Sequence, residues 1–564
     1  MPKIRKCDWI LFIIAVLCAV ASIVTWVTFP IIYPNSVKSH LQFKQNKDFS
    51  LSLSAWLFSH PPITNVMNFY FFNVTNPDEM IYAGAKPMLI EIGPYAVIET
   101  EEKKYLNFSK DSTMVFYQNY KKYVIHKELS CPGCSFDSIF TIPNPPETGA
   151  AADMYNPRYN VTPTTRIIIA ASLLLLGEYP FISQSVGDIL FDGYDDALLS
   201  AAHSNIVNIL TGLNGGVTVI PIPVPAMPRM GFFQGYNNTN DESYWVKTGK
   251  ENIDEIAKVV TWANVSSLPQ SWWTTDYARS IRGSDSASFS KMHLKKTDII
   301  EGFQSFQCRS FNATYLKEET VHNIPGWIYS VPYEEYDTTS DQNRGFRYEN
   351  SEKVNYYPDW PACPQKNSSE CAQHDKVDCS ASINFCHNCC ERSFVNGTYL
   401  LPPGMFPLVC YPGRLQPSPF SVMYSPPHFL YSPPEVINSV YGLNPSYEKH
   451  LPMLYTHEPY SGTVLKVIYQ LMVSTPVFAN PIVVTNMHLP NSIVPMFWQG
   501  ANAILYDSVY NEVWLGFVLV PKLVDGIKYF LLALSLFIIL VIAFLLFKRR
   551  KSKAGDMEDT MVTL

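Results

Sequence analysis

The sequence carries no signature of catalysis. It has no His-Glu-x-x-His for a zinc protease, no Gly-x-Ser-x-Gly elbow for a serine hydrolase and no Gly-x4-Gly-Lys-Ser/Thr phosphate loop. A two-span nucleotidase should carry a pair of Asp-x-Gly phosphate-binding turns, and no such pair is found. No catalytic residue, cofactor site or metal site is therefore assigned. No Gly/Ser-rich or like-charge linker divides the chain, and no repeat of solenoid or propeller period occurs, so one large domain is the simplest organisation. Regular βαβ alternation is also missing, which leaves α+β with mainly antiparallel sheet.

What is present at each end is a long run without charge. From Tyr529 to Phe547 no residue is charged, and the run is closed by Lys548-Arg549-Arg550-Lys551. About 20 apolar residues at 1.5 Å rise match a hydrocarbon core about 30 Å thick. Residues 526–547 are therefore expected to span a membrane, with the basic tail 548–564 in the cytoplasm. Residues 9–32 form a second uncharged run preceded by Lys3, Arg5 and Lys6. It exceeds the apolar stretch of a signal peptide and no small-x-small cleavage site follows, so it reads as an uncleaved anchor, with residues 1–8 also inside. The loop 33–525 then lies outside the cytoplasm.

Dividing the charge by compartment is informative. Residues 1–8 carry three basic and one acidic side chain, and residues 548–564 five basic and three acidic, each a net +2. The overall −7 leaves −11 for residues 9–547, almost all of it in the loop, which argues against nucleic acid or heparin as ligand. Ten cysteines, at 131, 134, 308, 363, 371, 379, 386, 389, 390 and 410, lie in the loop, an even number suited to disulfides in an oxidising compartment. Eight N-glycosylation sequons, at Asn73, Asn107, Asn160, Asn237, Asn264, Asn312, Asn367 and Asn396, fall in the same loop and none in a tail. Cys131-Pro-Gly-Cys134 reads as a small structural disulfide rather than a redox or zinc site. The cluster around His374 and His387 reads as disulfides rather than a zinc ligand set. His457-Glu458 is an isolated pair, either exposed or held by a structural hydrogen bond.

The chain's 43 prolines, nearly all in the loop, and abundant aromatics suit many short extended segments. Asn68–Thr75 and Met88–Ile92 have strand composition, the first ended by Asn76-Pro77 and the second stopped at Gly93-Pro94. Val464–Val473 and Ile482–Thr485 supply late strands, and Val217–Pro225 reads as an edge or polyproline segment. Ile253, Ile256, Ala257 and Val260 have the spacing of a short amphipathic helix. Thr164-Thr165-Arg166 leads into an apolar helix, Ile167–Leu176, too short to span. Apolar all round, it reads first as a buried core helix; the sharper alternative is an exposed head that meets lipid or lipoprotein. From Thr164 to Ser200 there are five acidic residues and only Arg166 as a base.

Ser425-Pro-Pro-His428-Phe429, Gly442-Leu443-Asn444-Pro445 and Glu458-Pro459-x-x-Gly462, in that order, resemble the class B scavenger receptor family, which includes fatty acid translocase and the lysosomal integral membrane proteins. Asn76-Pro77, Gly93-Pro94-Tyr95, Gly235-Tyr-Asn-Asn-Thr239, Gly283-Ser-Asp285 and Cys308-Arg309-Ser310 extend the likeness over nearly the whole chain. The resemblance implies a large antiparallel β-barrel-like ectodomain with a helical head (164–200), anchored by two transmembrane helices. It also implies an apolar tunnel for fatty acids, sterols or phospholipids, where burial contributes about 0.8 kcal/mol per CH₂. By similarity Cys308 pairs with Cys410, and Cys7 resembles a palmitoylated cysteine, the alternative being a free thiol.

Three departures qualify the likeness. Ala278 stands near the place of a family cysteine before Gly283, the head lacks lysines for anionic lipoprotein particles, and the tail has no acidic dileucine. The last favours the plasma membrane over endosomal or lysosomal membranes. Val562-Thr563-Leu564 would suit a cytoplasmic PDZ groove. The reading that follows is a cell-surface receptor for lipids or lipoproteins. A ligand-gated two-span channel and an adhesion or pathogen-uptake receptor are the alternatives; the spans offer only Ser22, Thr25, Thr28 and Ser535 for conduction.

Overall fold

The computed structural model describes residues 5–202, 227, 229–285, 290–358, 360, 399–418 and 420–562. The expectations for Val217–Pro225, for Cys363, Cys371, Cys379, Cys386, Cys389 and Cys390, for Asn367 and Asn396, and for Thr563-Leu564 lie outside the described residues.

The chain enters through α1 (Lys6–Leu41) and leaves through α7 (Asp507–Trp514) and α8 (Val520–Val562), which are joined by one turn of π-helix at Leu515–Leu519. Two helical stretches, Lys6–Leu41 and Asp507–Lys551, are long and apolar enough to cross a membrane. They pack side by side. Ser22 Oγ donates to the Lys528 carbonyl at 2.9 Å, and Arg549 Nη2 donates to Asp8 Oδ1 at 3.1 Å. Thr25 and Thr28 donate back to Ala21 and Val24 within their own helix, so these hydroxyls are satisfied locally.

Between the spans lie α2 (Leu53–Ser59), β1 (Ile63–Val74), α3 (Pro77–Ala83), β2 (Leu89–Phe108) and β3 (Met114–Ile125). Next come β4 (Ile139–Pro143), α4 (Pro145–Asp153), α5 (Pro163–Leu176), β5 (Phe181–Ser185) and α6 (Ala197–Ala202), the head. The remaining strands are β6 (Thr239–Lys247), β7 (Val259–Trp262), β8 (Ile300–Gln304), β9 (Arg309–Val321), β10 (Ile324–Ser330), β11 (Phe406–Pro407), β12 (Met423–Ser425), β13 (Met453–His457), β14 (Val464–Val477) and β15 (Ser492–Leu505).

One antiparallel sheet runs β7-β6-β3-β2-β1-β15-β14-β13-β10-β9-β8. First and last strands of the loop are thus neighbours at its centre, with Asn65 opposite Ala503. The two edges nearly meet, because Ser284 bridges Lys258 beside β7 and Gly302 in β8. Gly283 makes this closure possible. Its φ is +78°, and a Cβ there would lie 1.9 Å from the Glu301 carbonyl oxygen. Near-closure removes the exposed edges that a long sheet would otherwise present.

Several local expectations are corrected. Gly93-Pro94 does not stop β2, because a register shift between Phe69 and Phe71 of β1 absorbs the irregularity and pairing continues. The Ile253–Val260 segment is a single turn at Ile253–Glu255 followed by β7; Ala257 takes φ +59°, which no helix interior tolerates. Ile482–Thr485 is not a strand but the approach to a single turn at Val484–Asn486, and the last strand is β15. Helix α5 starts at Pro163, capped by Thr162, whose hydroxyl accepts from Thr165 N–H. It is not buried all round: Ile169, Ala170 and Leu173 are buried, whereas Ile167, Ile168, Leu174 and Leu175 are 51–86% exposed.

Candidate functional site

Strand alternation decides what the barrel encloses. Inward positions of β1, β2 and β3 are Ile63, Asn65, Met67, Glu99, Glu101, Lys103, Lys121 and Tyr123, while β14 and β15 send in Val467, Tyr469, Ala501, Ala503 and Leu505. The register stacks Val467, Ala503, Asn65, Glu99 and Tyr123 into one row across five strands. An inner cavity of about 160 Å³ is lined by these residues except Lys103, together with Phe233, Phe306, Tyr455 and Gln499. The expected apolar tunnel is thus corrected for this region. The β14–β15 side is mainly apolar, and the β2–β3 side, joined to it through β1, carries the charge.

The charges are matched at short range. Lys103 is buried, with Nζ 2.6 Å from Glu101 and 3.5 Å from Asp285. Lys121 lies 3.6 Å from Glu99, which also accepts from Asn65 Nδ2 at 3.0 Å. Burial works to raise Glu101, but the Lys103 and Lys121 charges outweigh it and hold the carboxyl below its ordinary value. Burial pushes Asp241 up to about 6, although Tyr244 and Ser305 hydroxyls donate to it. Such pairs offset desolvation only while every partner stays in place.

A second, larger cavity of about 690 Å³ lies against the outer face of β2 and β3, where Thr100, Glu102, Lys104, Tyr120 and Lys122 line it, and it also borders Ile63, Glu101 and Lys121. Its wall includes Leu53 and Trp56 of α2 and Ser508, Val509 and Glu512 of α7. These helices follow and precede the membrane helices, so the outer cavity opens at the membrane end of the barrel.

The opposite end is the head. Exposed Ile167, Ile168, Ala171, Leu174 and Leu175 fall at i, i+1, i+4, i+7 and i+8 and form one apolar face on α5. Beneath it Glu147, Glu178 and Asp196 are buried carboxyls. Burial, reinforced by Glu178, pushes Glu147 up to about 8 although Asn486 Nδ2 donates to it at 2.9 Å. Burial and the Glu178 charge push Asp196 up to about 7.

Other motif residues are structural. His428 Nε2 lies 3.2 Å from Glu91, which also accepts from Trp498 Nε1 at 2.9 Å, while His428 Nδ1 accepts from Asn444 N–H. His450 stacks on His428 at 4.3 Å between ring centroids, and its Nδ1 accepts from Ser446 N–H. Backbone amides only donate, so both Nδ1 atoms are unprotonated. His457 is buried with Nδ1 3.2 Å from the Gly462 carbonyl, and Glu458 accepts from Tyr460 and Ser461 N–H. Cys131 is joined to Cys134 and Cys308 to Cys410; Cys7 is an exposed free thiol. Asn107, Asn160, Asn237 and Asn264 are exposed, whereas Asn73 and Asn312 are half-buried. Asn73 Oδ1 accepts from Thr141 N–H, and Asn312 Nδ2 donates to Glu335 and the Tyr277 hydroxyl. The inward charges of β2 and β3 were not anticipated. The alternation Glu99-x-Glu101-x-Lys103 was the available signal.

A nearly closed antiparallel barrel with a helical head at one end and two apolar helices at the other defines a two-span anchored ectodomain built around an internal cavity. The chain belongs to the CD36 family, whose profile matches residues 12–546. It is 42% identical to the uncharacterized protein R07B1.3 of Caenorhabditis elegans, over 96% of this chain and 97% of that one. It is 25% identical to lysosome membrane protein 2 of Mus musculus, over 86% and 84%, and 22% identical to scavenger receptor class B member 1 of Cricetulus griseus, over 94% and 87%. Family membership supports the general role of a lipid-binding membrane receptor rather than an enzyme.

Proposed function

We propose that the protein is a plasma-membrane receptor that captures lipids or lipoprotein particles at its head and passes fatty acids, sterols or phospholipids through the barrel to the outer leaflet. The observation that carries this reading is the cavity inside the barrel, with its apolar strip along β14 and β15. An acyl chain or sterol moving along the β14–β15 wall would stay out of water, at about 0.8 kcal/mol per CH₂. The test is uptake of labelled cholesterol and fatty acid by cells displaying equal surface amounts of the unmodified chain or of Ala503→Trp. Ala503 lies on the cavity wall opposite Asn65, where an indole would fill the bore. Uptake above untransfected cells that Ala503→Trp abolishes is expected; uptake no faster than in untransfected cells would refute the reading. A second reading, particle adhesion without lipid passage, is favoured by the exposed apolar face of α5. It predicts unchanged particle binding in Ala503→Trp with no lipid delivered.

A further inference from the structure

The charged layer of the inner cavity holds an excess of negative charge and an acceptor without a partner. Around it stand four carboxylates, Glu99, Glu101, Asp241 and Asp285, and two ammonium groups. Both ammonium groups are already engaged, Lys103 by Glu101 and Asp285 and Lys121 by Glu99. Lys466 also borders the inner cavity, but it pairs with the exposed Ile504, on the opposite face of the sheet from the neighbouring pair Val467 and Ala503. Asn65 is 92% buried on the cavity wall, and its amide orientation is fixed because Nδ2 donates to the Glu99 carboxylate. Its Oδ1 therefore turns away from Glu99 as an acceptor, and no side chain or backbone group donates to it. A buried acceptor left unmet is costly and marks where a donor belongs. Among the described residues these groups are not arranged to hold a metal ion.

We infer that this layer selects lipids by their polar end, admitting amphiphiles with a hydroxyl or ammonium head and opposing those with a free carboxylate. The inference rests on the lipid-passage reading and narrows it. A hydroxyl or ammonium can donate to Asn65 Oδ1 and to the Glu99 and Glu101 oxygens without breaking an existing pair. A fatty carboxylate brings no donor. It would add a fifth negative charge to a buried site, and to gain a cation it would have to displace Glu99 or Glu101 from its lysine.

The experiment uses the full-length chain in phosphatidylcholine nanodiscs at pH 7.4, with tritiated octadecanol, octadecylamine and octadecanoate, whose chains are the same length. Saturable binding above empty nanodiscs is measured for each. The alcohol and amine are expected to bind at least tenfold more tightly than the carboxylate, and Glu99→Gln is expected to narrow the gap between amine and carboxylate. Equal or tighter binding of octadecanoate by the unmodified chain would overturn the selectivity while leaving lipid passage standing. No saturable binding of any of the three would overturn lipid passage, and the selectivity with it. The ranking on the unmodified chain decides the matter even where Glu99→Gln fails to fold.

Discussion

Replacing Glu147 by Gln should shift stability in favour of the variant as the pH rises. Glu147 is fully buried beneath α5 and receives one hydrogen bond, from Asn486, while its Oε2 has no partner. In the unfolded chain its carboxyl titrates near 4.5, and burial followed by the Glu178 charge moves it to about 8 in the fold. Between those values the folded chain holds a proton that the unfolded chain has released, so stability falls as pH rises through that window. Each pH unit contributes about 1.4 kcal/mol, so raising the pH from 5 to 7 should weaken the native protein by about 2–3 kcal/mol through this group. Gln keeps the acceptor for Asn486 and does not titrate. Its extra N–H₂ donors lack a partner and cost about 1–3 kcal/mol, but equally at both pH values. The assay is guanidinium unfolding of the full-length chain in micelles at pH 5 and pH 7. The Gln-minus-Glu difference should grow in favour of Gln by about 2–3 kcal/mol between them. A difference that stays the same at both pH values would refute the argument, because it would mean Glu147 is ionised in the fold or exposed to water.

Four other outcomes are expected. Burial and, for His450, the neighbouring His428 lower His450 and His457 to about 4, so both stay neutral in the fold while their unfolded forms take up protons near 6.5. Stability should therefore fall as pH drops from 6.5 toward 4, and His450→Gln should flatten that slope by up to about 1.4 kcal/mol per pH unit in the same unfolding assay. Gly283→Ala should cost about 3 kcal/mol or more and lower surface expression, because a Cβ at φ +78° meets the Glu301 carbonyl where the barrel closes. Replacing Cys308 and Cys410 together by Ser opens a loop spanning 102 residues and should cost about 4–5 kcal/mol, read from the unfolding midpoint. Ile168→Ser with Leu175→Ser, both exposed, should change stability by less than about 0.5 kcal/mol yet weaken lipoprotein particle binding to cells.

Features with a local physical cause could be read from the sequence. The apolar runs at each end needed only length and charge, and the cysteines and sequons agreed on which side the loop lies. Strand composition located β1 and most of β14, since β-branched and aromatic residues fit a half-buried pleat whatever their partners. Helix α5 announced itself by its apolar run, but its cap, Thr162 rather than Thr164 or Thr165, and its exposed face did not, because exposure depends on what packs against the other side. Ala257 misled for the same reason: its helical spacing was overridden by a left-handed backbone that the β6–β7 crossing imposes.

The inside of the barrel was decided by tertiary structure alone. Glu99, Glu101 and Lys103 alternate as any exposed edge would, and nothing within β2 says whether that face meets water or the inside of the barrel. The pairing of β1 with β15 joins residues more than 400 positions apart, and that register puts Asn65 opposite Ala503 and beside Glu99. A one-residue slip would turn every one of these side chains outward. The sequence thus determined by itself that this is a two-span membrane protein with an acidic, disulfide-bearing loop, because those properties are summed over composition and short segments. Which charges line the cavity follows from long-range strand register, a property that no single segment contains.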